Sequence, residues 1–293
     1  MDSFGEVLTA MVTPFNEKLE LDLKKARELA AYLVDNGSDG LVVLGTTGES
    51  PTLTYEEKVS LLETVVDEVG DRAVVIAGTG SYSTAESIKM TEKAEAIGVD
   101  GIMLVTPYYN KPSQSGLYYH FKAIAEKTRL PIMLYNIPGR TARNIEVETM
   151  LELSKIDNII AVKEASGDLN QVSKLSRLLP DDFLIYSGDD SLLLPILAVG
   201  GEGVVSVAAH LVGNEIKQMI RDFKNGGLEE AIEMNRKLGP LFEALFITTN
   251  PVPVKTALNL IGREVGGVRG PLYAMNEQEE KRLIEVLKEY QLL

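Results

Sequence analysis

The chain of 293 residues is 45% apolar and 25% charged, enough for a large buried core and for either two domains or one barrel with an addition. Its formal net charge of −14 and pI near 4.7 argue against nucleic acid or an anionic membrane surface as a partner, because both need clustered Lys and Arg, and an anionic substrate would need local positive groups. With no cysteine, disulfides, thiolate catalysis and Cys-ligated metals are excluded.

The opening MDSFGEVLTAMVTPF has no basic segment followed by an apolar core and cleavage site, and no apolar run reaches the ~18 residues of a membrane span, so a cytoplasmic location is expected. From Val7 the run VLTAMVTPF reads as a strand, followed by a helix with Leu23, Ala26, Leu29, Ala30, Leu33 and Val34 on one face, stopped by Asn36-Gly37. A second strand, GLVVLG from Gly40, passes through GTTGES into a helix whose start carries Thr54 and Glu57 in capping-box spacing and which Gly70 ends. The third, AVVIAGTG from Ala73, leads to Ser83 and Glu86 in the same spacing and to a helix closed by Gly98. Further strands are expected at GIMLVTPYY from Gly101, PIMLYNIP from Pro131, IIAVKEAS over 159–166, FLIYSGDD from Phe183 and GVVSVAAH from Gly203, each preceded by a helical segment.

Eight β–α units without a Gly/Pro/Ser linker, with continuous rather than alternating apolar strands, predict a parallel sheet covered on both faces. A closed (β/α)8 TIM barrel fits best. The open doubly wound alternative usually carries a glycine fingerprint after its first strand, where this chain has TPFNEKLE. Segments near 213–224, 227–246, 252–261 and 276–290 read as helices only, so the expected division is a catalytic barrel over 1–224 and a C-terminal helical module over 225–293.

In such a barrel the strand C-terminal ends line the mouth, and here they offer Thr13, Thr46, Thr47, Thr79, Tyr108, Tyr109, Tyr135, Lys163, Ser187, Gly188 and Ser206. Without a histidine among them this is a poor metal or serine-hydrolase site. Lys163 closes an apolar strand, sharing a face with Ala161 and Ala165 while Glu164 points away. A desolvated amine there suits imine chemistry: it adds to a ketone, water leaves, and the resulting enamine attacks an aldehyde, with a phenol such as Tyr135 moving protons.

Taken together, GTTGES at 45–50, VTPYYNKPSQSGLYYHF at 105–121, LYNIPGRT at 134–141, VKEASGDL at 162–169, SGDD at 187–190, GVVSV at 203–207 and NPVPVKTAL at 250–258 closely resemble the dihydrodipicolinate synthase family, from Gly5 to the C-terminus. The resemblance implies a class I aldolase-type barrel, a lyase joining pyruvate to L-aspartate 4-semialdehyde on the route to diaminopimelate and lysine, with no metal or organic cofactor. Carried over by position, Lys163 forms the imine and Tyr135 moves protons, with Thr46 and Tyr109 completing the relay. In the family that second tyrosine reaches into a neighbouring subunit's site, which implies a homotetramer built as a dimer of dimers. Thr47 with its backbone amide would hold the pyruvate carboxylate, and Arg140 would meet that of the semialdehyde. Gly188 and the carbonyl of Val205 would border the lysine; isoleucine is frequent in the family at the latter place.

The sibling N-acetylneuraminate lyases and 2-keto-3-deoxygluconate aldolases share the lysine, the YNxP tyrosine and the glycine-threonine loop, but generally lack an arginine at the position of Arg140. A non-catalytic binding barrel is the remaining alternative, although it would need neither the amine nor the relay. Lysine-inhibited members usually carry histidines where this chain has Tyr55 and Lys58, and asparagine where it has Tyr82, so weak feedback is expected although Glu86 and Tyr108 match. The glycines of AGTG at 77–80 and VGGEGVVS at 199–206 fit tight turns, and Asp189 with Asp190 a helix start. His120 and His210 are read as structural or exposed, and Lys255 as a lysine ahead of an appended helix, away from the mouth, fit to serve as a mutational control.

Overall fold

The computed structural model describes residues 3–293. Its eight strands are β1 (Val7–Ala10), β2 (Gly40–Val43), β3 (Val74–Gly78), β4 (Gly101–Val105), β5 (Ile132–Asn136), β6 (Ile159–Glu164), β7 (Leu184–Ser187) and β8 (Gly203–Ser206). All pair in parallel with their chain neighbours, and β8 closes on β1 through Val7↔Val204 and Leu8↔Val205, so the expected barrel is the observed one. The ladders are shorter than the apolar runs. In VLTAMVTPF only Val7–Ala10 forms the strand; the rest turns outward to the mouth, ending in a single antiparallel bridge between Phe15 and Leu21. Pro14 has no N–H to extend a ladder.

Alternation along each strand divides the core in two. Leu8, Ala10, Val42, Ile76, Met103, Met133, Ala161 and Val205 pack inside the barrel, with Phe4 among them. Val7, Leu41, Val43, Val75, Leu104, Leu134, Val162 and Val204 pack outward into the layer shared with the helices. Both sets are buried, which is why the strands read as unbroken apolar runs, and each large side chain contributes about 1.5–3 kcal/mol of burial.

The surrounding helices are α1 (Leu23–Asp35), α2 (Tyr55–Val69), α3 (Thr84–Ile97), α4 (Gln114–Ala125), the single turn α5 (Pro138–Thr141), α6 (Val147–Leu153), α7 (Leu169–Leu178), α8 (Leu193–Ala198) and α9 (Ala209–Lys224). Thr54 and Glu57 make the full capping box expected at α2. At α3 only half of it forms: Ser83 accepts from Glu86 N, but the Glu86 carboxylate instead accepts from Ser81 Oγ at 3.3 Å. Helix α9 opens with a short turn from Ala209 that breaks at the non-helical backbone of Val212, so its regular part starts at the expected 213.

The last helices are α10 (Leu228–Ala244), α11 (Val252–Leu260) and α12 (Glu277–Glu289). Leu238, Leu241, Phe242, Val254, Leu258, Leu283 and Val286 join the same apolar layer as the barrel's outer face. Arg269 fastens this region to the front of the barrel: its guanidinium donates to both Glu57 oxygens at 2.8 and 2.6 Å and to Thr52 O at 2.9 Å, and lies 4.3 Å over the Phe15 ring. Among the described residues, no helix is long and apolar enough to cross a membrane.

Both histidines are structural. His210 Nε2 accepts from Val12 N at 3.1 Å while Nδ1 lies 2.8 Å from Val207 O, so the neutral ring bridges the segments that follow β1 and β8; burial lowers its pKa to about 4. His120, buried on α4, is paired with the Thr84 hydroxyl at 2.8 Å, and burial likewise brings it to about 4.

Candidate active site

Strand register brings the two central groups together. Tyr135 and Lys163 are directly paired residues of β5 and β6, and the Lys163 ammonium nitrogen lies 4.3 Å from the centre of the Tyr135 ring. The lysine is 6% exposed and has no carboxylate in salt-bridge contact among the described residues. Burial is therefore the main influence on it, lowering its pKa to about 8; the charge of Asp190 opposes this and that of Arg140 adds to it. Burial pushes the Tyr135 phenol up to about 12, against the pull of the Thr46 hydroxyl and Arg140. The pair is thus an amine with an accessible neutral form beside a phenol that keeps its proton.

Gly188, after β7, is present because nothing larger fits. A Cβ there would stand 2.6 Å from Ala165 Cβ and 3.1 Å from Lys163 Cε. Val205 is buried in the barrel interior with Tyr135 and Ala161. In front of Tyr135 a cavity of about 190 Å³ is lined by Thr46, Tyr108, Tyr135, Ile137 and Arg140 among others. Arg140, carried by α5 at the rim, supplies positive charge to a protein that is otherwise strongly acidic.

Thr47 lies just behind, buried, with its hydroxyl accepting from Asn250 Nδ2 at 2.9 Å. Tyr109 is not brought into the cavity: it is 92% exposed, with a left-handed backbone at φ +68. Tyr108 instead meets Tyr82 edge to face at 5.4 Å on the wall shared with a second cleft of about 400 Å³, lined by Tyr55, Lys58, Tyr82, Glu86 and Lys89.

The outer face of β6 explains how the mouth is held. Glu164 is buried and accepts from Asn136 Nδ2, Ser166 N at 2.8 Å and Gln171 Nε2 at 3.1 Å. Asn136 also accepts from Ile145 N at 3.0 Å and donates to Asn144, tying down the far end of the loop that carries Arg140. A buried carboxylate without a cation is tolerable because several N–H groups share its charge.

Three groups escaped the sequence reading. Asp189 and Asp190 do begin a helical turn, 190–192, which Asp189 caps, but the Asp190 carboxylate turns inward instead, accepting from Ser206 Oγ, Val207 N at 3.0 Å and Ala208 N at 2.9 Å. It is the carboxylate whose charge bears on Lys163. Asn250 carries no sequence signal of its contact with Thr47. Lys255 lies within α11 rather than ahead of it and is buried against the mouth loop, donating to Glu49 Oε1 and Thr13 O, both at 2.9 Å. It is unsuitable as a control. Among the described residues no group of three or more His, Asp or Glu is placed to hold a metal.

A model of the dihydrodipicolinate synthetase family matches residues 3–290. The 4-hydroxy-tetrahydrodipicolinate synthase of Desulforudis audaxviator is 61% identical over 99% of both chains. Among solved structures, dihydrodipicolinate synthase DapA-2 of Bacillus anthracis is 51% identical with TM-score 0.96, covering 98% of this chain and 99% of its own. The Cyanidioschyzon merolae enzyme, crystallised with lysine bound, is 48% identical with TM-score 0.98 over 99% of each chain. A match across nearly the whole length, in sequence and fold together, places this chain in the dihydrodipicolinate synthetase family.

Proposed function

We propose that this chain is a lyase of the 4-hydroxy-tetrahydrodipicolinate synthase type, condensing pyruvate with L-aspartate 4-semialdehyde through an imine on Lys163. The observation that carries the reading is the buried amine with a lowered pKa, 4.3 Å from the ring of Tyr135, which lines the cavity. The amine attacks the pyruvate ketone, water departs, and the enamine formed by loss of a methyl proton adds to the aldehyde. Tyr135, with Thr46 and Tyr109, passes protons in these steps; Thr47 holds the pyruvate carboxylate, and Gly188 and the Val205 carbonyl border the lysine. The chemistry calls for no metal or organic cofactor. In a direct test the purified protein consumes pyruvate only when the semialdehyde is supplied. Comparable kcat/KM for cleavage of N-acetylneuraminate or 2-keto-3-deoxygluconate would move it to a sibling activity.

Arg140 is assigned to the semialdehyde carboxylate, as the guanidinium at the cavity rim. Losing a paired charge-assisted contact should raise the KM for the aldehyde about ten- to a hundredfold in Arg140→Ala, with the KM for pyruvate little changed. Unchanged aldehyde kinetics would discredit the assignment.

Residues 1–224 act as the catalytic barrel and 225–293 as a helical module serving it, and the working form is a cytoplasmic homotetramer, a dimer of dimers in which Tyr109 completes a neighbour's site. An almost fully exposed tyrosine on a left-handed backbone supports that role, since neither feature serves the isolated chain. Sedimentation at assay concentration should give four copies; an active monomer would refute the shared tyrosine.

Feedback by lysine is expected to be weak. Lys58 and Lys89 both line the second cleft, where they repel an ammonium group, and Tyr82 takes up space beside them. Half-maximal inhibition by micromolar lysine in a steady-state assay would overturn this.

A further inference from the structure

The Asn250–Thr47 contact does more than fasten a loop. A threonine hydroxyl has one proton to give and lone pairs to accept with, and which of these faces a ligand depends on what its other partners take. Here Asn250 Nδ2 donates to Thr47 Oγ1 at 2.9 Å, in a position where both residues are buried. A lone pair is thereby engaged and the hydroxyl proton is left for another acceptor. The rest of the loop is restrained too: Thr13 Oγ1 donates to Gly48 O at 2.6 Å, and both oxygens of Glu49 are taken, one by Lys255 Nζ and the other by Arg269 N at 2.9 Å. Thr47 therefore cannot easily swing to exchange partners.

A second observation falls on the same side chain. Asn250 Oδ1 is buried and has no hydrogen-bond partner among the described residues. An unsatisfied buried acceptor is costly, and such groups persist mainly where a ligand or its hydration completes the bonding.

We propose that Asn250 is a positioning residue that makes the Thr47 hydroxyl an obligate donor, so that the mouth selects ketones bearing a carboxylate over uncharged ones. This rests on the reading of Thr47 as the pyruvate carboxylate contact. Asn250 would act through Thr47 and not on the reacting atoms. The selection is physical in origin: a hydroxyl fixed as a donor stabilises an anion, whereas a freely rotating one serves donors and acceptors alike.

The test compares imine formation with two ketones, trapped by borohydride and quantified by intact mass: pyruvate, and hydroxyacetone, which has no carboxylate. In Asn250→Asp the side chain keeps its size but becomes an acceptor and draws the Thr47 proton toward itself. The pyruvate concentration for half-maximal trapping should rise about tenfold or more, while trapping of hydroxyacetone and the KM for the aldehyde stay within about twofold. Asn250→Ala, which frees the hydroxyl without adding charge, should give a smaller rise, and none when added to Thr47→Val. Equal loss with both ketones would show a merely structural role and overturn the proposal. Unchanged pyruvate trapping in Asn250→Asp would overturn it as well, by showing that Thr47 already donates to residue 250. If the unsubstituted protein traps hydroxyacetone but not pyruvate, selection for the carboxylate is absent and the proposal fails. If it traps neither, the imine reading itself fails, and with it the basis for assigning Asn250 any such role.

Discussion

Replacing Lys163 by alanine should abolish borohydride-trapped pyruvate adduct and reduce kcat/KM to below about a thousandth, because no other group at the mouth can form the imine. Peptide mass spectrometry should place the adduct on Lys163, and Lys174→Ala, an exposed lysine of α7, should trap as well as the unsubstituted chain. The pH dependence makes the experiment sharper. Only the neutral amine attacks, so with a pKa of about 8 roughly one-tenth is competent at pH 7, against about one part in three thousand for an ordinary lysine at 10.5. The trapping rate should therefore climb through pH 8 and level off above it. The neighbours shift this onset in opposite directions: losing the Arg140 charge should move it up, and neutralising Asp190 as Asp190→Asn should move it down. An onset near 10.5 would mean the amine is solvated, and the site as described would be wrong.

The second large effect concerns stability. In Lys255→Ala the Glu49 carboxylate loses its cation in a pair whose side chains are 2% and 1% exposed, and breaking a buried pair from one side costs about 3–5 kcal/mol. Denaturant midpoints should fall accordingly, and activity with them, since Glu49 belongs to the loop that carries Thr46 and Thr47. The double change Lys255→Met with Glu49→Gln, which removes both charges while keeping the bulk, should recover a substantial part of the loss. If Lys255→Ala unfolds like the parent chain, the clasp contributes nothing and the C-terminal helices hold the loop by packing alone.

These two lysines show how far the sequence could be read. The position of Lys163 was legible because it is set locally: an apolar strand, a strand-end place and a tyrosine on the neighbouring strand at matching depth, all of which follow from period-two alternation and chain-order pairing. The eight units and the helix caps were legible for the same reason, apart from the half-formed box at Ser83. Lys255 was misplaced because its partner, Glu49, is more than two hundred positions away, and no periodicity or spacing reports a contact of that range. Asn250 is hidden likewise. Asp190 is a different case. The pair Asp189-Asp190 has one member outward and one inward, and only the turn at 190–192 decides which. Tyr109 marks a further limit, since it is almost fully exposed and nothing within the chain surrounds it.

Thr47 lies in the first fifth of the chain, yet the side chains that fix it and Glu49 are Asn250, Lys255 and the backbone of Arg269. During synthesis the amino end emerges first, so a nascent chain can carry all eight strands before any of these three residues exists. A product terminated before residue 250 has the lysine and the tyrosine but neither hold on the loop. The grip on the loop is thus tied to translation running past residue 269: a segment made late closes on one made early.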